Sequence, residues 1–184
     1  MKLIVGITEA PGVTYGLRLL ACLERCPEIE THTVISDRTK LIIESEMNWT
    51  PDIVDRVVER AHNASDGVAP FPDASQFDGA IVAPCSVESL AAIANADGKG
   101  LLAQAVRACL QRQSPVILFV TEGVLRSEQL ELMYRVSRMG AVLLASPAYP
   151  LDLVSVDDIV SSTAAAALEL AGIRPLKYPP GEGG

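Results

Sequence analysis

The chain is poor in rings, in histidine and in positive charge. Aromatic residues make up 4% of its 184 positions while apolar residues make up 49%, so the core must be assembled from Val, Ile, Leu and Ala rather than from stacked rings. That is the profile of an α/β protein with buried parallel strands. Fifteen Lys and Arg stand against twenty-three Asp and Glu, a net charge of −8 that repels a polyanion instead of releasing its counterions, so nucleic acid is not expected as a partner. No apolar run approaches the roughly 18 residues a bilayer requires, and no membrane partner is expected. With mean hydropathy at +0.27, the apolar surplus has to be buried another way, which reads as a subunit interface.

Other absences narrow the compartment and the metal chemistry. Cys22, Cys26, Cys85 and Cys109 show no spacing typical of a disulfide framework or a zinc site. Cys22 and Cys26, four apart on a helix face without a histidine partner, read as small helix filler, and no metal site is expected. The apolar run Leu3–Ile7 meets Glu9 and Pro11 with no small-residue cleavage site, so it reads as a first strand rather than a signal peptide. The expected location is the cytoplasm. The length is that of one domain, at about 150 residues per domain.

Strand and helix patterns then alternate along the chain. Apolar runs at 3–7, 31–36, 79–83, 115–120 and 141–144 read as five strands, the fourth continuous enough to be covered on both faces. Helical patterns follow at 13–24, 38–46, 86–96, 101–113, 127–139 and 156–170, with a further helix from Pro51 to about Ala61 in the least regular quarter. Five strands alternating with helices predict a single α/β domain, 1–173, with a doubly wound parallel sheet; residues 174–184, rich in Pro and Gly, form a C-terminal arm expected to be flexible. In such sheets ligands sit outside the carboxyl ends of the strands. The site is therefore expected from segments 8–12, 36–37, 84–89 and 121–122.

Those segments carry a small-residue turn with Gly12, then Ser36, then Ser86 and Ser89 entering a helix. Singly, each serine is a plain helix cap. Together, hydroxyls and helix N-termini at successive strand ends make an anion pocket and raise the alternative of a phosphate-bearing cofactor. The turn lacks G-x-G-x-x-G, so a dinucleotide held in that manner is not favoured. Glu46 taken alone is a solvated helix-end acid, and Glu122 directly follows a buried strand, where burial raises a carboxyl pKa. Cys85 lacks a placed base and reads as a packed thiol, not a nucleophile.

The segments Gly6–Leu20 (GITEAPGVTYGLRLL), Ile29–Ser36 (IETHTVIS) and Pro84–Leu90 (PCSVESL), with Met139–Val142 and Ser155–Val160, resemble the UbiX-type flavin prenyltransferases, within the wider FMN-binding flavoproteins that include flavin-containing decarboxylases. The resemblance runs to about Ile173. The Pro-Cys-Ser entry to the third loop is of the prenyltransferase type and unlike that of the cysteine decarboxylases. It implies a flavodoxin/Rossmann-like fold, FMN as cofactor held between subunits, and a homo-oligomer, a dodecamer built of trimers, acting on a small molecule. By matching position it implies FMN contacts from Glu9, Ala10 and Pro11, from Ser36, from Ser86, Val87, Glu88 and Ser89, and from Thr121. Glu46 and Glu122 match two acids that handle protons in that family.

The departures lie where the family binds phosphate. Its Gly-Ala-Ser in the first loop is Glu9-Ala10-Pro11 here; its Lys is Gln111, two of its Arg are Thr121 and Gln104, and its Tyr and third Arg fall on Pro150 and Ala166, with Tyr149 one place away. Each charge-assisted bond to phosphate is worth about 1.5–3 kcal/mol, so losing several removes orders of magnitude of affinity. Lys99, Arg107, Arg112, Arg174 and Lys177 are the candidate replacements. The reaction then has three candidates: flavin-dependent decarboxylation or redox chemistry on another small molecule, true flavin prenylation from dimethylallyl phosphate, or a non-catalytic flavin carrier or partner subunit of a decarboxylase.

Overall fold

A computed structural model describes residues 1–47, 61–63, 76–95, 98–121, 123–145 and 155–174. The elements run β1 (Lys2–Ile7), α1 (Val13–Leu23), β2 (Glu30–Ile35), α2 (Asp37–Met47), β3 (Ala61–Asn63), β4 (Gly79–Val82), α3 (Val87–Ala94), α4 (Leu101–Gln111), β5 (Val116–Phe119), α5 (Ser127–Arg138), β6 (Val142–Leu144) and α6 (Val156–Leu170). One sheet joins all six strands in the order β3-β2-β1-β4-β5-β6, every pair parallel. Parallel pairing aligns all the carboxyl ends on one edge. The chain reverses its direction of travel across the sheet between β1 and β4, the switch point at which such sheets hold ligands.

The sheet is buried on both faces because each strand alternates between two apolar layers. Leu3, Val5, Ile7, Ile81, Ile117 and Phe119 point into a core completed by α1 and α6. Ile4, Ala80, Val82, Val116 and Leu118 point the other way, against Leu90, Ile93, Leu102 and Val106 of α3 and α4. Among the described residues, two aromatic side chains, Phe77 and Phe119, rank with the largest fully buried ones, in line with the ring-poor composition. Cys22, Cys26, Cys85 and Cys109 are buried within these layers as free thiols.

The doubly wound parallel α/β fold is the one the alternation predicts, with one more strand. Residues 61–63 pair with β2 (Thr33↔Ala61, Ile35↔Asn63), where a helix end and loop were expected. Ala-His-Asn has neither β-branched residues nor a resolvable period, so only the free backbone edge of β2 selects it as a strand. Without it the order of the remaining five is that of flavodoxin; with it, that of the dinucleotide-binding folds. Most of the helix expected from Pro51 to Ala61, and the arm from Pro175, lie outside the described residues.

Candidate functional site at the carboxyl edge of the sheet

Three loops converge where β1, β2 and β4 end. After β1 the chain turns tightly, Ala10 N–H donating to Thr8 O at 2.8 Å, and enters α1 through Gly12 at φ +94°. Ser36 caps α2, its Oγ accepting from Thr39 N at 3.1 Å. Ser86 caps α3: its Oγ accepts from Ser89 N at 3.2 Å and donates to Ser89 Oγ at 3.1 Å. These local bonds follow from the preference of hydroxyl side chains for helix starts, where they satisfy orphan amides.

Long-range contacts then fix the loops against one another. The buried Thr8 hydroxyl donates to Pro84 O at 3.0 Å and accepts from Ser86 N at 2.8 Å, a double bond of loops across 76 and 78 residues of sequence. The Ser36 hydroxyl donates to the Glu9 carboxylate. Gly16 lets α1 lie on the end of β4: a Cβ there would stand 2.2 Å from Ala83 O. Cys85 N–H donates to Phe119 O at 2.7 Å, and burial pushes the Cys85 thiol up to about 12, so it stays protonated near neutrality and is no nucleophile.

Between these loops and α3 and α4 lies a cavity of about 160 Å³. Glu9, Ser36, Ser89 and Lys99 supply its polar wall; Ile7, Val34, Ile93 and Leu102 supply its apolar floor. Of the residues expected to hold a cofactor, Glu9, Ser36 and Ser89 meet here. Ser86 stands behind them as the cap, Ala10 is buried, Pro11 and Glu88 are exposed and Val87 is half-buried. Thr121 lies on the α1 side of the same edge, its methyl 3.6 Å from the Cβ position at Gly12. Its Oγ1 is buried and has no hydrogen-bond partner among the described residues. Glu46 sits in the last turn of α2, about 15 Å along the helix axis from Ser36 at 1.5 Å per residue. Glu122, Tyr149 and Pro150 lie outside the described residues.

The replacement cations divide sharply. Arg107 donates to the carbonyls of Ala92, Asn95 and Gly98 at 2.5, 3.0 and 2.6 Å, closing the C-terminal end of α3. Arg112 donates to Phe77 O at 3.2 Å. Both are structural. Lys99 alone of the described candidates lines the cavity. Thr8 lies in the expected segment 8–12 but without a role of its own, and Gly16 was not among the expected site residues, although a hydroxyl at the end of a buried strand and a small residue one turn into the following helix are the sequence signals for both.

Comparison with known proteins agrees with this geometry. The Flavoprotein family matches residues 1–168. A probable UbiX-like flavin prenyltransferase of Escherichia coli O157:H7 is 36% identical over 176 residues, 95% of this chain and 89% of the relative. Among solved structures, a dodecameric FMN-dependent UbiX-like decarboxylase from Escherichia coli O157:H7 superposes with a TM-score of 0.88 at 35% identity, covering 98% of this chain and all of the other. AnUbiX (PadA1), in complex with FMN and dimethylallyl pyrophosphate, gives a TM-score of 0.87 at 29% identity, covering 100% and 98%. The chain, with its hydroxyl-capped loops gathered at the switch point of a parallel sheet, belongs to the UbiX-type branch of the Flavoprotein family.

Proposed function

We propose that this protein is an FMN-dependent enzyme of the UbiX type, a transferase or lyase in class, acting on a small molecule other than a prenyl phosphate. The donors fit the phosphate end of FMN on one side: the Ser89 hydroxyl and Lys99 in the cavity, and the first-turn amides of α3. The cavity lined by the described residues, about 160 Å³, is smaller than the roughly 300–1,000 Å³ that encloses a cofactor-sized ligand, which supports a reading in which one chain holds one end of the flavin and a second copy covers the rest. Bound FMN would supply an electron sink and redox centre. Glu46 and Glu122 are the acids assigned to proton transfer by their match to the family's two acids.

The observation that carries the choice of substrate is the commitment of Arg107 and Arg112 to main-chain carbonyls, which leaves Lys99 as the cavity's cation among the described residues. Ala166 adds no charge on α6. Incubation with reduced FMN and dimethylallyl phosphate is expected to yield no prenylated flavin, by absorbance and mass. Formation of prenylated FMN would establish the second reading, which the names of the relatives favour: a flavin prenyltransferase with cations supplied by another copy. The third possibility, a carrier, predicts that Glu46→Gln and Glu122→Gln leave the activity of its assembly unchanged.

Exposed apolar side chains support a homo-oligomer. On and around α5, Val124, Leu130 and Tyr134 are 77, 51 and 65% exposed, and Leu130 and Tyr134 share one helix face at i and i+4. We assign this face to subunit contact within a dodecamer of trimers. Leu130→Glu with Tyr134→Glu is expected to reduce the mass measured by sedimentation equilibrium to that of smaller species; an unchanged mass would move the interface elsewhere. No helix among the described residues is long and apolar enough to cross a membrane. The four buried free thiols support a reducing compartment, the cytoplasm.

A further inference from the structure

A serine hydroxyl has one proton to give and lone pairs to receive with. At Ser36 the proton goes to the Glu9 carboxylate, a lone pair takes Thr39 N–H at 3.1 Å, and Thr39 Oγ1 stands at 3.0 Å. Ser36 therefore offers a ligand no donor as it stands. The place an external anion would take, at the N-terminus of an eleven-residue helix, is held by an anion of the chain itself. Across the same cavity, Ser89 Oγ accepts from Ser86 and keeps its own proton, and Lys99 adds a positive charge. One wall accepts and the other donates.

Resting on the flavin reading above, we propose that Glu9 is a charge-selectivity residue of the flavin site. Its carboxylate holds the anion position at Ser36 on the cavity wall, so a dianionic flavin phosphate entering the cavity meets a like charge, and an uncharged flavin does not meet that opposition. The effect does not depend on which wall receives the phosphate, because Glu9 and the Ser89 and Lys99 wall line one cavity of about 160 Å³. At such distances the repulsion between a carboxylate and a dianion changes affinity by about tenfold or more. Ala10, buried next to Glu9, and the Thr8 turn fix the backbone from which the carboxylate reaches Ser36, so its position is built into the loop.

Dissociation constants for FMN and for riboflavin, measured by flavin fluorescence on the full chain, Glu9→Gln and Glu9→Gly, test this. The FMN constant is expected to fall about tenfold or more in both variants, while the riboflavin constant stays within about twofold. FMN uptake by the variants alone, with riboflavin bound by all three proteins, also supports the assignment. An FMN-to-riboflavin ratio unchanged by either substitution overturns it and leaves the flavin reading standing. Failure of all three proteins to bind either flavin overturns the flavin reading and the role of Glu9 together.

Discussion

Gly16→Ala is expected to lower the midpoint of thermal unfolding by about 5 °C or more and to weaken FMN binding with it. In an exposed helix the same change would stabilise by about 1 kcal/mol, since Gly is the poorer helix former. Here the added Cβ would lie 2.2 Å from the main-chain oxygen of Ala83 and 2.9 Å from two carbons of Ile7. A backbone carbonyl in the bend directly after a parallel strand has no rotamer to change, so α1 or the end of β4 must move. Overpacking of this kind costs about 1–3 kcal/mol, and for a domain of this length each kcal/mol lost shifts the midpoint by about 2–4 °C. Ala83 is followed by Pro84, whose carbonyl receives the Thr8 hydroxyl, so displacement there reaches the cavity directly. A midpoint equal to or above that of the parent protein, by scanning calorimetry, would mean that helix propensity outweighs the contact and that α1 is not fixed where the structure has it.

Thr8→Val is expected to cost about 2–3 kcal/mol in denaturant unfolding and to raise the FMN dissociation constant by about tenfold or more. The two side chains are nearly equal in shape, so packing is conserved while the hydroxyl is lost. Pro84 O still receives Thr8 N–H at 3.3 Å, but Ser86 N–H, donated to the hydroxyl at 2.8 Å, is left without a partner in a buried setting. An unsatisfied buried donor carries its full desolvation penalty. The Ser86 loop then keeps only the longer Thr8 N–H tie to Pro84 O, and Ser89 is held less firmly. Thr8→Ser, which keeps the hydroxyl, is the control and is expected to bind FMN nearly as the parent does. If Val and Ser variants bind flavin alike, the Thr8 tie does not organise the site.

Some of this site is legible in the residues and some is not, for a reason that particular side chains make plain. Ser36, Ser86 and Ser155 each cap a helix through bonds to the residue three positions on, and such bonds are written in adjacent residue types. The Ser155 cap is closed by Asp158, whose carboxyl is held below its ordinary value by bonds from the Ser155 hydroxyl and amide. By contrast, Arg107 and Arg112 look identical to Lys99 as replacements for a lost phosphate ligand until their carbonyl partners are seen. A guanidinium with five donors closes the end of α3 as readily as it would bind phosphate.

By itself the sequence determined the parallel α/β sheet, the edge at which its capped loops gather and the caps that start α2 and α3, because alternation and capping act over a few residues. The tertiary structure alone decided that Glu9 takes the Ser36 proton across 27 residues, that Thr8 joins Pro84 to Ser86 across more than 70, and that β3 exists at all. Each of those is a hydrogen bond between groups that many partners could satisfy. Which partner wins is set by the packing of Gly16 on Ala83 and of the strands on one another, not by the residue types alone.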